Sequence, residues 1–269
     1  MRVAVVGHVE WVEFLRVPHL PTTGEIVHAD DAWAEPAGGG AVAAVQLCKL
    51  AGAADFFTAL GDDDLGRRAC DELSALGLRL HVAWRDEPQR RAVTFLDGRG
   101  ERTITVIGDR LVPHGADPLP WEELEKTDGV YFTGGDVAAV RAARAARILT
   151  ATPRTMTTLR EGHVEIDALV GSGKDAGEIY RPGEIDPAPK LYVATEGAEG
   201  GTMTPGGHFP SGPLPGPIVD TYGAGDSFAA GLTYGLAAGM SPDDAVALAA
   251  RCGAAALTGR GAFAGQLRF

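Results

Sequence analysis

Cysteine is scarce: Cys48, Cys70 and Cys252 are the three among 269 residues, and they stand in no spacing that holds a metal or forms a redox pair. Their odd number and wide separation exclude a disulfide framework and predict three reduced thiols, Cys48 and Cys252 inside helices, which fits a cytoplasmic protein. Positive charge is scarce as well. Lys and Arg number 24 against 36 Asp and Glu, a formal net charge of −12, and the cations do not cluster. This excludes nucleic acid as a general partner, because following a phosphate backbone takes grouped Lys and Arg. Long apolar runs are missing. The start, MRVAVVGHVEW, has a single Arg and a short apolar stretch before His8 and Glu10, too brief for a signal peptide or a membrane span, and no spanning segment is expected elsewhere. The fingerprint GxGxxG is absent, so a Rossmann dinucleotide site is set aside. What is present is 45% hydrophobic residues, enough for one large α/β domain or two small ones, in which any phosphate site must be local.

Residues 2–6 are a β-branched apolar run closed by Gly7, the pattern of a buried parallel strand whose C-terminal end opens into a site. Residues 14–36 alternate polar and apolar around the turn Pro21-Thr22-Thr23-Gly24, which predicts two exposed antiparallel strands. A helix over 41–50, a strand over 55–59 and a helix over 67–76 follow, the last ended by Gly77. Short strands over 80–84, 92–97 and 102–107, the last two joined at Gly98-Arg99-Gly100, are expected to join the early pair in a small second sheet, a lid built from about 12–36 and 80–107. From Gly129 the alternation returns: strand 130–133, helix 137–147, strands 148–151 and 168–171, helix 176–180, strand 191–195. The Pro/Gly-rich piece 204–217 contains an exposed strand and turn, and Ser241 caps a final helix over 242–257. The whole reads as one domain, 1–269: α/β, a doubly wound, mostly parallel sheet flanked by helices, with a small β-sheet lid.

The chemistry concentrates in DTYGAGDSFAAGLTYGLAAG, residues 220–239. Gly223, Ala224 and Gly225 are small enough for close backbone approach, and a helix follows over 227–236. Unpaired amides at a helix start and the positive end of its dipole favour an anion there, phosphate above all. Asp226, in the first turn, then stands where a base would meet an attacking hydroxyl. The same letters also describe a tight turn and a capping Asp.

The order Asp220, Thr221, x, Gly223, Ala224, Gly225, Asp226 closely resembles the C-terminal signature of the ribokinase-like (PfkB) carbohydrate kinases. Pro21-x-x-Gly24-Glu25, the glycines 38–40, Gly61-Asp62-Asp63-x-x-Gly66, Thr195-x-Gly197-x-x-Gly200 and Gly261-Ala262 look like further landmarks of that family, in its order. The resemblance implies ATP-dependent phosphorylation of a sugar or sugar-like hydroxyl, with Asp226 as base and Gly223, Ala224 and Gly225 as the anion hole. It implies a nucleotide site at Thr195, Gly197, Gly200, Asp220 and Thr221. It also implies Mg²⁺, its waters organised by Asp175 and Glu178, where the family's Asn-x-x-Glu becomes Ser172-x-x-Asp175 with Glu178 behind; a capped helix start reads equally well there. Nucleoside kinases, the hydroxymethylpyrimidine and pyridoxal kinases, and a silent ligand-binding relative share the fold.

The resemblance departs on the acceptor side. Val12 stands where many members carry an Asp, and Ala43 where an Asn is usual, so ribose is disfavoured. Gly38, Gly39 and Gly40 remain, and Glu10 offers a carboxylate. That carboxylate can accept from hydroxyl or amine donors and would repel a phosphate, which predicts a neutral or cationic acceptor rather than a sugar phosphate. Arg90, Arg91 and Arg102 on the lid are either solvated or phosphate-binding. Trp33 is read as lid packing, and the lid as a homodimer contact.

Overall fold

Val3–Val6 form β1, with all four apolar side chains buried. A strand without alternation needs apolar cover on both faces. β1 has it, since Val3 and Val5 belong to one hydrophobic cluster and Ala4 and Val6 to another. The computed structural model describes residues 1–269. After β1 the chain forms β2 (Glu10–Arg16), β3 (Asp31–Ala37), α1 (Gly39–Ala51), β4 (Ala54–Gly61), α2 (Asp64–Ala75), β5 (Leu78–Arg85), β6 (Arg91–Leu96) and β7 (Arg102–Ile107). It continues with β8 (Gly129–Phe132), α3 (Val137–Ala143), β9 (Ile148–Ala151), α4 (Met156–Gly162), β10 (Ala168–Ser172), β11 (Tyr192–Thr195), β12 (Gly201–Thr204), β13 (Gly207–Phe209), α5 (Ala224–Ala237) and α6 (Pro242–Ala256).

Nine strands make one sheet in the order β13-β12-β11-β10-β9-β8-β1-β4-β5. From β11 to β5 every pairing is parallel, and β12 and β13 close one edge antiparallel. Side chains of α1, α2, α5 and α6 build the larger cluster on one face, and those of α3 and α4 the smaller one on the other. This is the expected doubly wound sheet. It gathers the C-terminal ends of the parallel strands, where ligands bind in such folds, along one rim.

A separate four-stranded sheet, β3-β2-β6-β7, stands over that rim. Two expectations about it need correction. β5 is not part of it: residues 78–85 pair in parallel with all of β4 and form an edge of the large sheet. A half-covered edge strand alternates much as a lid strand does, so periodicity could not separate them. Nor is β2 exposed, because Trp11, Val12 and Phe14 are buried. Phe14 stacks on Trp33 at 4.9 Å and meets Tyr222 edge-on at 5.0 Å, so the inner face of the lid joins the larger hydrophobic cluster, seated on the segment before α5.

The stretch expected as a helix over 176–180 is instead a turn. The Asp175 carboxylate accepts from Gly177 N, and Glu178 folds back to accept from Ser172 N at 2.8 Å, local bonds that compete with a helix. α4, rich in Thr and with only Leu159 and Gly162 buried, carries little of the apolar period by which helices are recognised. Ser241 caps α6 as expected, accepting from Asp244 N.

Candidate active site

Gly223 adopts φ +74°, a left-handed turn that favours glycine, and an added Cβ there would lie 2.9 Å from Val42. This turn starts α5 at Ala224 and sets Asp226 in its first turn. A Cβ built on Gly225, by contrast, would meet nothing within 4 Å. The helix start therefore opens onto free space at that point, with amides and dipole directed to it.

Two cavities meet there. The larger, about 910 Å³, is polar and includes His8, Glu10, Gly38, Gly39, Thr133 and Asp226. The smaller, about 420 Å³, is walled by apolar groups such as Phe209, Leu214, Ile218 and Phe228. Arg102, Thr195, Gly197 and Gly225 line both. An apolar slot joined to a polar chamber at a helix N-terminus suits a ligand with an aromatic base at one end and phosphates at the other.

Asp226 is half-buried, and its carboxyl pKa is pushed up to about 6, first by burial and then by the charge of Glu178, against the pull of Arg102 and Arg154. A carboxylate so tuned is mostly ionised near neutral pH and still basic enough to take a proton. It rests over Gly39, where a Cβ would come within 2.8 Å of Asp226 Oδ1. Gly38 also faces the cavity, held by its N–H donating to the Tyr222 hydroxyl at 3.1 Å. Gly40 does not line it. A Cβ there would strike the His8 carbonyl at 2.5 Å, so Gly40 allows α1 to pack against the end of β1.

Of the residues expected at the nucleotide, Thr195 and Gly197 line both cavities, and Gly200 and Thr221 line the apolar one. Asp220 lies beneath them. It is fully buried and accepts from Tyr222 N at 2.8 Å and Gly261 N at 3.0 Å, a brace between the signature turn and the C-terminal loop.

Asp175 and Glu178 both line the polar cavity, yet their four oxygens are already engaged. Arg154 donates to each at 2.6 Å, Gly177 N takes the other oxygen of Asp175, and Ser172 N the other oxygen of Glu178. No group of three His, Cys, Asp or Glu side chains is placed to hold a metal. A pair shared with a guanidinium and saturated by protein donors does not fit a directly ligated divalent cation.

The acceptor end also differs from expectation. Glu10 is not a free carboxylate: Arg90 Nε lies 2.8 Å from its Oε1, both side chains nearly buried. The premise that its charge repels a phosphate therefore fails. Val12 and Ala43 are fully buried and take no part in the cavity wall. Arg91 turns away to pair with Glu13, while Arg102 donates to the Thr221 carbonyl. Sequence reasoning missed Arg110, His8 and Thr133 on the polar cavity and the apolar walls of the slot, Phe209, Leu214, Ile218 and Phe228. Leu214 and Ile218 lie in an irregular Pro/Gly-rich segment with no period to announce them.

The pfkB family carbohydrate kinase model matches residues 1–161 and 163–267. A fructokinase of Klebsiella pneumoniae is 29% identical, the match covering 84% of this chain and 87% of that protein. An ATP-dependent ribose-1-phosphate kinase of Halopiger xanaduensis is 27% identical over 94% of this chain and 91% of its own. The structure of Arabidopsis thaliana ribokinase complexed with ribose and ATP superposes with a TM-score of 0.76 at 20% identity, covering 99% of this chain and 96% of that one. Matched by the family model over nearly its whole length, the chain belongs to the pfkB carbohydrate kinases and is a phosphotransferase that acts on an alcohol group of a sugar.

Proposed function

We propose that the protein is an ATP-dependent sugar kinase in which Asp226 is the general base. The observation that carries this reading is the junction of the two cavities at Gly225, with the Asp226 carboxylate on the polar side of it. ATP lies with its base in the apolar slot and its phosphates toward the start of α5. The acceptor lies in the polar cavity. Asp226 takes the proton from the acceptor hydroxyl, whose oxygen forms a bond to the γ-phosphorus as the bond to the β-phosphate oxygen breaks, and ADP leaves. Amides at Gly223, Ala224 and Gly225 hold the charge that builds on the transferred group, and Arg102 stands at the same point. Mg²⁺ enters as part of the nucleotide substrate, with Asp175 and Glu178 acting on it through its waters and not as direct ligands. The relatives include a fructokinase and a ribose-1-phosphate kinase, so free and phosphorylated sugars both belong among the acceptors to be tried.

The protein works in the cytoplasm in this proposal, its three cysteines being free thiols; no helix is long and apolar enough to cross a membrane. A second copy docks along the outer edge of β7, the lid's terminal strand, all six of whose residues are exposed. Light scattering at micromolar concentration is expected to give twice the 28.0 kDa chain mass; a monomer removes the dimer from the proposal. Sugar-dependent ADP release across a panel of free sugars, sugar phosphates and sugar acids tests the reaction, and a panel with no turnover on any sugar overturns it.

A further inference from the structure

Arg110 follows β7 in the loop that leaves the lid, is partly buried, and lines the polar cavity. The cavity's other arginines are engaged: Arg90 with Glu10, Arg154 with Asp175 and Glu178, and Arg102 with the Thr221 carbonyl. Arg110 has neither an ion pair nor a hydrogen bond, although its charge is disfavoured by burial and by the nearby Arg90. A guanidinium stays charged at any working pH, so withdrawing one from water without a partner is costly. The charge of Glu10 offsets part of that cost, and an anion bound in the cavity would offset more.

A second, independent feature lies on the same wall. His8, at the end of β1, is 6% exposed, and its Nδ1 makes no hydrogen bond of good geometry, although the Thr133 backbone is near enough to favour its protonation. Burial and the charges of Arg110 and Arg90 hold its pKa well below the usual histidine range, so the ring is neutral there and can donate one N–H to an oxygen without adding charge. Charges at this end do not cancel. Arg90 neutralises Glu10 and leaves the Arg110 cation over, whereas the nucleotide phosphates have Arg102 and Lys174 on the stretch of wall nearer the slot.

We propose that Arg110, with His8 and Arg90, forms a subsite for an anionic group on the acceptor, a phosphate ester or a carboxylate, so that the sugar is phosphorylated while it already carries a negative charge. This deepens the kinase reading and rests on it for the word acceptor; the anion subsite itself does not. A planar guanidinium suits either oxyanion, since each can accept two parallel N–H bonds.

The test pairs acceptors that share a sugar frame and differ in an anionic group: ribose against ribose 1-phosphate, fructose against its 1- and 6-phosphates, galactose against galacturonate. Each is assayed by ADP release with wild type and with Arg110→Met and Arg110→Lys. The wild type should favour the phosphorylated or the carboxylated member of a pair, and which arm responds identifies the group. Arg110→Met should cut that preference about 10- to 100-fold, the scale of losing one charge-assisted hydrogen bond, with Arg110→Lys in between. Thermal shift with inorganic phosphate, which needs no turnover, should stabilise wild type more than Arg110→Met. Wild type preferring every neutral sugar over its charged partner overturns the proposal. So does Arg110→Met raising the KM for ATP as much as that for the acceptor, because Arg110 would then serve the nucleotide. If no sugar is turned over but the phosphate shift vanishes in Arg110→Met, the kinase reading falls and the anion subsite stands. If the shift is the same in both, the subsite falls.

Discussion

Replacing Asp226 by Asn should make the protein both slower and more stable. The substitution keeps the shape of the side chain and removes its charge. Loss of a general base is worth roughly 10² to 10⁴ in rate, and it should appear in kcat more than in KM. The stability change follows from the raised pKa. An aspartate at about 6 in the folded protein against 3.8 ordinarily is a shift worth at most about 3 kcal/mol of destabilisation of the ionised fold, and about 1–2 kcal/mol once its partial solvent access is discounted. In a chain of this length that is about 2–8 °C in Tm. The sign depends on pH. A folded pKa above the unfolded one means that the penalty is absent below the unfolded value, grows between the two, and is complete above about 6. Calorimetry should therefore find Asp226→Asn more stable than wild type at pH 7.5 and indistinguishable from it near pH 4. Activity of the variant within threefold of wild type, or a lowered Tm at neutral pH, would falsify the assignment of Asp226 as a base with a raised pKa.

Other expectations bear on neighbouring parts of the site. Because the Glu178 charge helps to raise Asp226, Glu178→Gln should move the acid limb of the kcat/KM profile from about 6 to lower pH; an unmoved limb means that another group titrates. Gly39→Ala places a methyl 2.8 Å from Asp226 Oδ1 and should cost tenfold or more in kcat, on the scale of a misplaced catalytic group, with near-unchanged circular dichroism; full activity would show that the carboxylate has room to move. Phe14→Ala removes the ring between Trp33 and Tyr222 and should cost about 3–5 kcal/mol, read by chemical denaturation, a loss under 1 kcal/mol marking the lid as loosely packed.

The parts legible in the sequence were those whose physics is local. The apolar run of β1, the left-handed glycine before α5 and the Ser241 cap each follow from a few adjacent residues, and the strand-helix alternation that they punctuate gives the doubly wound sheet. Which sheet a short strand joins is decided by partners far along the chain, so β5 looked like lid. The charge of Glu10 was misjudged for the same reason: Arg90 is 80 positions away in sequence and 2.8 Å away in space. Arg110 carries no local sign at all. It sits in a loop, and its importance comes from an absent partner, which only three-dimensional placement can show.

The four residues common to both cavities make donor and acceptor chemistry inseparable at one seam. A substitution at Arg102, Thr195, Gly197 or Gly225 alters two binding constants at once, so natural variation in acceptor choice has to arise farther out, at the lid root around His8, Glu10, Arg90 and Arg110. For ligand design the seam works the other way. A single molecule that threads it, with an aromatic head in the slot and a charged sugar mimic in the chamber, would draw on two recognition surfaces through one passage, and an occupant of the slot alone would leave the chamber that distinguishes this kinase untouched.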